Sequence, residues 1–288
     1  MSRKKSWERI VQAVEGNGLF AVKQNLKKIA LEIEQEDFDQ APDILYHYTN
    51  QGGLEGILKS QTLRLFDCST GSDPSEFIHA QDMIDFCLKK QSYPCQSRLA
   101  AFREYNWQNL KNELTLFIGC LSAERDGIYQ WRCYGDNGYG FSIGFDKNAF
   151  MPARTQSEEC FDSYFGMMRY FDDVNDLNGA QKLIEKYLNP AKIFLSNNQE
   201  IKHEKELWKE LTVRLLVEAA FIKHSAYHLE KEYRLAAHFL NNSIGEHKKQ
   251  NCIKFLEKCN SRLYVEKNFN KNSVKSILIG PCHKDKFN

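Results

Sequence analysis

Ile44-Leu45-Tyr46-His47-Tyr48-Thr49, near the start of the chain, and Leu229-Glu230-Lys231-Glu232-Tyr233-Arg234-Leu235, near its end, both read as strands. Each puts ionisable groups where a strand usually carries apolar ones. Side chains of a strand alternate between its two faces, so Leu45, His47 and Thr49 share one face of the first segment, and Ile44, Tyr46 and Tyr48 the other. In the second, Tyr233, Leu235, Ala237 and Phe239 form a continuous apolar face, which leaves Glu230, Glu232, Arg234 and His238 together on the opposite one. A histidine from one strand and a carboxylate pair from another are enough to grip and polarise a small ligand.

Working outward, residues 5 to about 38 read as two helices broken at Gly16-Asn17-Gly18. After Thr49, the turn Asn50-Gln51-Gly52-Gly53 enters a short helix with Leu54, Ile57 and Leu58 inward, and Thr62 to Phe66 returns as a strand. The loop Asp67 to Glu76 leads into a helix ending near Lys90, and a further helix is expected over Gln96 to Asn112. Leu114 to Leu121 is the most apolar strand and reads as central. A short helical stretch Gly127 to Tyr134, a turn Gly135-Asp136-Asn137-Gly138 and a strand Tyr139 to Phe145 follow. Beyond a strand near Tyr164 to Tyr170, helical signals run from Asn178 through a long charged helix ending near Lys223, whose run Lys202-His203-Glu204-Lys205-Glu206 reads as a solvated face. Strands Tyr233 to Phe239, Arg262 to Glu266 and Val274 to Ile279 close the chain.

Strands and helices are intermixed without the regular strand-helix-strand rhythm of a doubly wound sheet, which predicts an α+β fold. The expected organisation is an N-terminal helical extension over residues 1–42 and an α+β domain over 43–288. The sequence has 288 residues, 42% of them hydrophobic, enough for a buried core. Basic and acidic residues nearly cancel, 39 against 38, so the broad positive field of a DNA-coating protein is missing. The start, Met-Ser-Arg-Lys-Lys-Ser-Trp-Glu, leads into an amphipathic helix, and nowhere do eighteen apolar residues follow one another. No membrane association is expected, and the location expected is the cytoplasm. Nine cysteines, at 68, 87, 95, 120, 133, 160, 252, 259 and 282, contain no Cys-x-x-Cys pair and fit free thiols in a reducing compartment.

His224 and His228, four apart, would share a helix face with Glu232 just beyond, but no clear third and fourth ligand completes a zinc site, so no metal is expected. There is no glycine-rich phosphate loop, no Gly-x-Ser-x-Gly elbow and no Walker sequence. Trp131 reads as a core anchor, while Arg132 reads as a group able to meet a phosphate or Asp73.

Several pieces, in this order, resemble a bacterial family, the domain of unknown function 2971 family. They are Leu45-Tyr46-His47-Tyr48-Thr49, Ser72-Asp73-Pro74-Ser75-Glu76, Cys120-Leu121-Ser122, Gln130-Trp131-Arg132-Cys133-Tyr134-Gly135-Asp136 with Gly140 and Gly144-Phe145-Asp146, Glu230 to Leu235, and Ile277-Leu278-Ile279-Gly280-Pro281. The resemblance covers about residues 44 to 281, and Ser72 stands where the family usually shows Asn. A remoter resemblance, to the His, Tyr, Glu type of the ADP-ribosyltransferase superfamily, rests on a strand with a histidine, a following strand-loop region with an aromatic or hydroxyl residue, and a late strand that begins Glu-x-Glu. It implies split antiparallel or mixed β-sheets facing each other across a cleft that holds NAD, with surrounding helices and the N-terminal helical extension.

Under that resemblance His47 would hydrogen-bond the ribose next to the adenine, and Glu232 a hydroxyl of the nicotinamide ribose. Breaking the bond to nicotinamide makes an oxocarbenium-like sugar, which a fixed carboxylate stabilises. Glu230 would position or deprotonate the acceptor, and Arg234 would hold Glu232 ionised. The middle aromatic is left among Phe66, Tyr134 and Tyr139; Thr49, Arg132 and Tyr134 join His47 as the residues expected to bind NAD. The function implied is an NAD-dependent ADP-ribosyltransferase, a toxin, effector or phage-defence factor acting on a protein or nucleic-acid acceptor. A non-catalytic ligand-binding or regulatory module with a degenerate site is the alternative, and a metal-dependent nuclease or hydrolase the third choice.

Overall fold

A computed structural model describes residues 3–70, 75–90, 114–150, 161, 163–172, 177–197, 204–240, 252–256 and 262–286. In chain order the elements are α1 (Arg3–Gln40), β1 (Ile44–Thr49), α2 (Gln51–Ser60), β2 (Thr62–Asp67), α3 (Ser75–Lys90), β3 (Leu114–Ser122), α4 (Ile128–Cys133) and β4 (Phe141–Asp146). They continue with β5 (Ser163–Met167), β6 (Arg169–Phe171), α5 (Leu177–Asn197), α6 (Glu204–Ala219), β7 (Ile222–His224), β8 (Glu232–Leu240), β9 (Lys254–Leu256), β10 (Arg262–Asn268) and β11 (Val274–Ile279). The fold is α+β, an antiparallel sheet with several helices.

The chain divides into two compact units, each drawn from three stretches: 1–35, 75–114 and 171–224 in the first, 36–74, 115–170 and 225–288 in the second. Within the first, α3, α5 and α6 pack on one another. Met83, Ile84 and Leu88 of α3, Ile184 and Leu188 of α5, and Leu207, Leu211 and Leu215 of α6 are buried. The buried Tyr187 hydroxyl donates to Glu218 there, and the buried Lys223 pairs with Glu76 at 3.3 Å.

The second unit holds a nine-stranded sheet. β4 lies between β1 and β11, β10 between β2 and β9, and β8 between β3 and β5. One face of it carries the main core, in which Leu45, Leu63, Leu65, Phe117, Leu121, Ile143, Phe145, Tyr233, Leu235, Ala237, Phe239 and Val265 come together. The alternation expected of the two opening segments therefore holds for their apolar residues. On the opposite face Tyr46 and Tyr48 pack on Trp131, whose ring meets that of Tyr48 edge-on at 4.8 Å and whose Nε1 donates to Asp126 at 2.6 Å.

Three strands pair with β3, namely β1, β2 and β8, yet a strand has only two edges. Two of the three must share one. Ala123 N, just past β3, donates to Lys231 O at 3.0 Å, so the odd-numbered residues of this stretch direct their backbone groups toward β8. The even-numbered ones face the other edge, where Ser122 pairs with Tyr46 of β1 and Ile118 with Phe66 of β2. Between these contacts lies Cys120, so the sheet forks there into a β1–β4–β11 arm and a β2–β10–β9 arm.

Four expectations change. Residues 3–40 form one helix that runs through Gly16-Asn17-Gly18, since a glycine costs a helix interior only about 1 kcal/mol. The long charged helix ends at Ala219, and Ile222 lies in β7. The strand before Phe145 begins at Phe141, because Asp136 and Asn137 take left-handed φ of 51° and 52° and Tyr139 stays in the turn. Cys252 is disulfide-bonded, whereas Cys68, Cys87, Cys120, Cys133 and Cys282 are free thiols. The helix expected at 96–112, the Ser72-Asp73-Pro74 segment and Lys202-His203 lie outside the described residues. No helix among the described residues is long and apolar enough to cross a membrane.

Candidate functional site

β8 does not reach back to Glu230, so the two carboxylates do not share a strand face as their spacing suggested. Ser225–Glu230 is a 3-10 turn, Lys231 adopts a left-handed φ of 43°, and the strand starts at Glu232. Such a φ costs a residue with a Cβ about 1 kcal/mol or more, so it persists only where surrounding bonds hold it. They do here: the Glu230 carbonyl accepts from Ser122 Oγ at 2.7 Å and Gln130 Nε2 at 2.8 Å. Lys231 O accepts from Ala123 N, Lys231 N donates to His228 O at 3.2 Å, and Lys231 Nζ pairs with Glu124.

The kink brings both carboxylates to one place by another route. Glu230 is 1% exposed and accepts a 2.9 Å hydrogen bond from the Tyr134 hydroxyl. Glu232, 4% exposed, takes the Arg234 guanidinium on both oxygens, Nε at 2.6 Å and Nη2 at 3.2 Å. Burial pushes the Tyr134 phenol above its usual range, and the negative charges of Glu230, Glu232 and Cys120 push it further. It therefore stays a donor at any ordinary pH. The tyrosine ring is 42% exposed while its hydroxyl reaches inward, so an aromatic surface stands open beside two buried acids.

Tyr134 is thus the aromatic, of the three candidates, that meets the carboxylates. Tyr139 lies in the turn with its ring near His283, and Phe66 sits under the Arg262 guanidinium on β2.

His47 stands in the fork. Its Nδ1 lies 2.9 Å from Cys120 O, the carbonyl left between the β1 and β2 pairings. A carbonyl only accepts, so Nδ1 carries the proton and, in the neutral ring, Nε2 keeps its lone pair. Burial holds the imidazole below its usual pKa, although the Cys120 hydrogen bond works against this. Alternation assigns the His47 side chain to the face of Leu45, and that of Cys120 to the face of Glu232. By alternation His47 and Glu232 therefore lie on opposite faces of the sheet, and the hydrogen bond to Cys120 O is what ties the ring to β3 at the split.

Thr49 ends β1 against α2, where a Cβ on Gly53 would come within 1.9 Å of its Oγ1. Arg132 is exposed on α4 and forms no hydrogen bond or ion pair with the described residues. His224 and His228 occupy a strand end and a 3-10 turn, so the shared helix face expected of them does not form. Among the described residues, no three His, Cys, Asp or Glu side chains are placed to hold a metal ion.

Three residues that the sequence did not single out build the site. Gln130 and Ser122 hold the Glu230 carbonyl, and the Tyr170 hydroxyl accepts from Glu232 N at 2.9 Å. The buried amide of Gln130, beside an anchoring tryptophan, was the one readable signal.

Residues 130–235 match the sequence profile described as protein of unknown function (DUF2971). The match covers less than half of the chain. That segment opens at Gln130 and closes at Leu235, so it contains Tyr134, Glu230, Glu232 and Arg234, while His47 and Cys120 precede it. No curated protein and no solved structure matches the chain.

Proposed function

We propose that the second unit binds NAD at the forked sheet and acts as an ADP-ribosyltransferase. The observation that carries this reading is the meeting of Glu230 and Glu232 around the half-exposed Tyr134, beside the β3 residue whose carbonyl holds His47. The reading is supported by the histidine, aromatic and carboxylate types that the resemblance to that superfamily asks for, here near one split of the sheet. Each group has a task. Nε2 of His47 accepts a ribose hydroxyl, and Tyr134 offers a ring face to nicotinamide.

Glu232 holds a negative charge where C1′ of the nicotinamide ribose turns positive as its bond to nicotinamide breaks and the base leaves with the electron pair. Arg234 meets both oxygens of this carboxylate, which keeps it ionised and oriented. The acceptor then bonds to C1′ and gives up its proton to Glu230, which the Tyr134 hydroxyl orients. Arg132 and Thr49, at the rim and at the end of β1, complete the proposed contacts with NAD.

The test is release of nicotinamide from NAD by the purified chain, with Glu232→Gln inactive. A second reading, a non-catalytic binding module, is favoured by one observation: both carboxylates are nearly closed to solvent and already bonded. It predicts ligand binding without turnover. Thermal stabilisation by NAD that His47→Ala abolishes, with no nicotinamide released by the wild type, decides for the module.

A further inference from the structure

The arm of the fork formed by β2 and β10 carries a second constellation that this reaction does not use. On the face away from the main core, Phe66 pairs in register with Tyr264, and Arg64 with Glu266. The Arg64 guanidinium lies 4.7 Å over the Tyr264 ring, and that of Arg262 4.7 Å over the Phe66 ring; the two rings are 5.9 Å apart. Arg262 Nε is fixed by Thr70 Oγ1 at 3.2 Å, and Arg64 Nε is 3.7 Å from Glu266, which also takes Lys254. Two cations therefore share one carboxylate, and the side chains of Arg64 and Lys254 are each 41% exposed. Phe66 sits opposite Ile118 of β3, and Cys120 follows Ile118 on the same face, so the platform leads along β3 toward the fork.

We propose that this face binds single-stranded nucleic acid. Guanidinium groups lying over aromatic rings present a delocalised surface on which an unpaired base stacks, and their N–H groups meet the phosphates on either side. A duplex, whose bases are already stacked, offers nothing to such a platform. An acidic peptide would use the cations but not the rings. The site rests on the proposed function only for its biological meaning, since it would make the acceptor a nucleic acid; binding itself needs no NAD.

The experiment is fluorescence anisotropy of the full chain with a labelled mixed-sequence 12-mer, as DNA and as RNA, against the same sequence as duplex, without NAD and across a salt series. The single strand is expected to bind with log Kd rising with log salt at a slope of about 1.4 to 2.1, the value for two or three phosphate contacts. Arg64→Ala with Arg262→Ala is expected to weaken binding at least about tenfold and to lower that slope by about 1.4. Arg64→Lys with Arg262→Lys, which keeps charge and fold, is expected to keep the slope and lose affinity with the stacking plane.

Four results overturn the proposal: no binding at low salt, equal binding of duplex, unchanged affinity in the lysine pair, or displacement of the oligonucleotide by NAD or polyglutamate as readily as by unlabelled strand. Glu232→Gln separates the two ideas. Strand binding in that variant with no nicotinamide release by the wild type overturns the transferase and leaves the platform standing.

Discussion

Glu232→Gln is the obvious probe of the proposed chemistry, and the structure predicts that it acts on stability as well. Replacing the carboxylate by an amide removes the charge of Glu232 from beside the Arg234 guanidinium, 4% exposed. Breaking one side of a buried ion pair costs about 3–5 kcal/mol, because the remaining charge is stranded in a medium that solvates it poorly. Glutamine keeps one acceptor oxygen for Arg234 Nε, which places the expected loss near the lower bound, about 3 kcal/mol. For a domain of 150–250 residues that is a fall in Tm of roughly 6–12 °C. Removing the cation too, in Glu232→Gln with Arg234→Met, leaves an amide facing a thioether of similar volume and is expected to recover at least half of the loss.

The assay is urea unfolding followed by far-ultraviolet circular dichroism on the wild type, both single variants and the double variant. The cycle should return a coupling of about 2–3 kcal/mol between the two residues. A coupling below about 0.5 kcal/mol, within the additivity of independent sites, refutes the reasoning, since the contact would then act like an exposed ion pair. The result also sets the temperature at which activity of Glu232→Gln has to be measured.

Four further outcomes are expected. Tyr134→Phe, by removing the hydroxyl that donates to the buried Glu230 carboxylate, should lose about 1.5–3 kcal/mol in thermal or urea unfolding, although Tyr134 is partly exposed. His47 has a lowered folded pKa, so its neutral form contributes stability that is complete above the unfolded value near 6.5 and is lost as pH falls through the folded value; His47→Asn should flatten the pH dependence of unfolding below pH 6.5, with a change in slope of at most about 1.36 kcal/mol per pH unit. Gly140→Ala places a Cβ 2.3 Å from the Thr49 carbonyl oxygen, backbone against backbone, and should cost at least about 3 kcal/mol or prevent soluble expression. Lys231→Gly relieves the left-handed φ but adds freedom to the unfolded chain and removes an exposed ion pair with Glu124, so its melting temperature should stay close to that of the wild type, whereas Lys231→Val should melt lower.

Much of the core was legible because it depends on local periodicity. The apolar face from Tyr233 to Phe239 and the division of β1 into Leu45 on one side and Tyr46 with Tyr48 on the other need only a strand and a preference for burial. Trp131 as an anchor follows from its size and its neighbours. Where the reading went astray, local signals competed. Glu230 and Glu232 fit a period of two, but the chain turns sharply at Lys231, and nothing in a lysine announces a left-handed backbone. Gly16-Asn17-Gly18 reads as a break by propensity, which is a weak local term and does not interrupt α1. The helix assigned up to Lys223 carried apolar spacing past Ala219, into residues that a short strand buries equally well.

The identity of the groups and the faces of β1 and β8 belong to the sequence itself, because alternation is a property of any extended chain of L-residues. Their meeting belongs to the tertiary structure. Tyr134 and Glu230, 96 residues apart, are joined by one hydrogen bond, and His47 finds Cys120 at a separation of 73. Both contacts depend on β3 accepting β1 and β2 along one edge and β8 along the other, a pairing decided by the burial of several faces at once. No stretch of residues carries that choice alone, which is why Tyr134 could not be told from Phe66 or Tyr139 until the strands were in place.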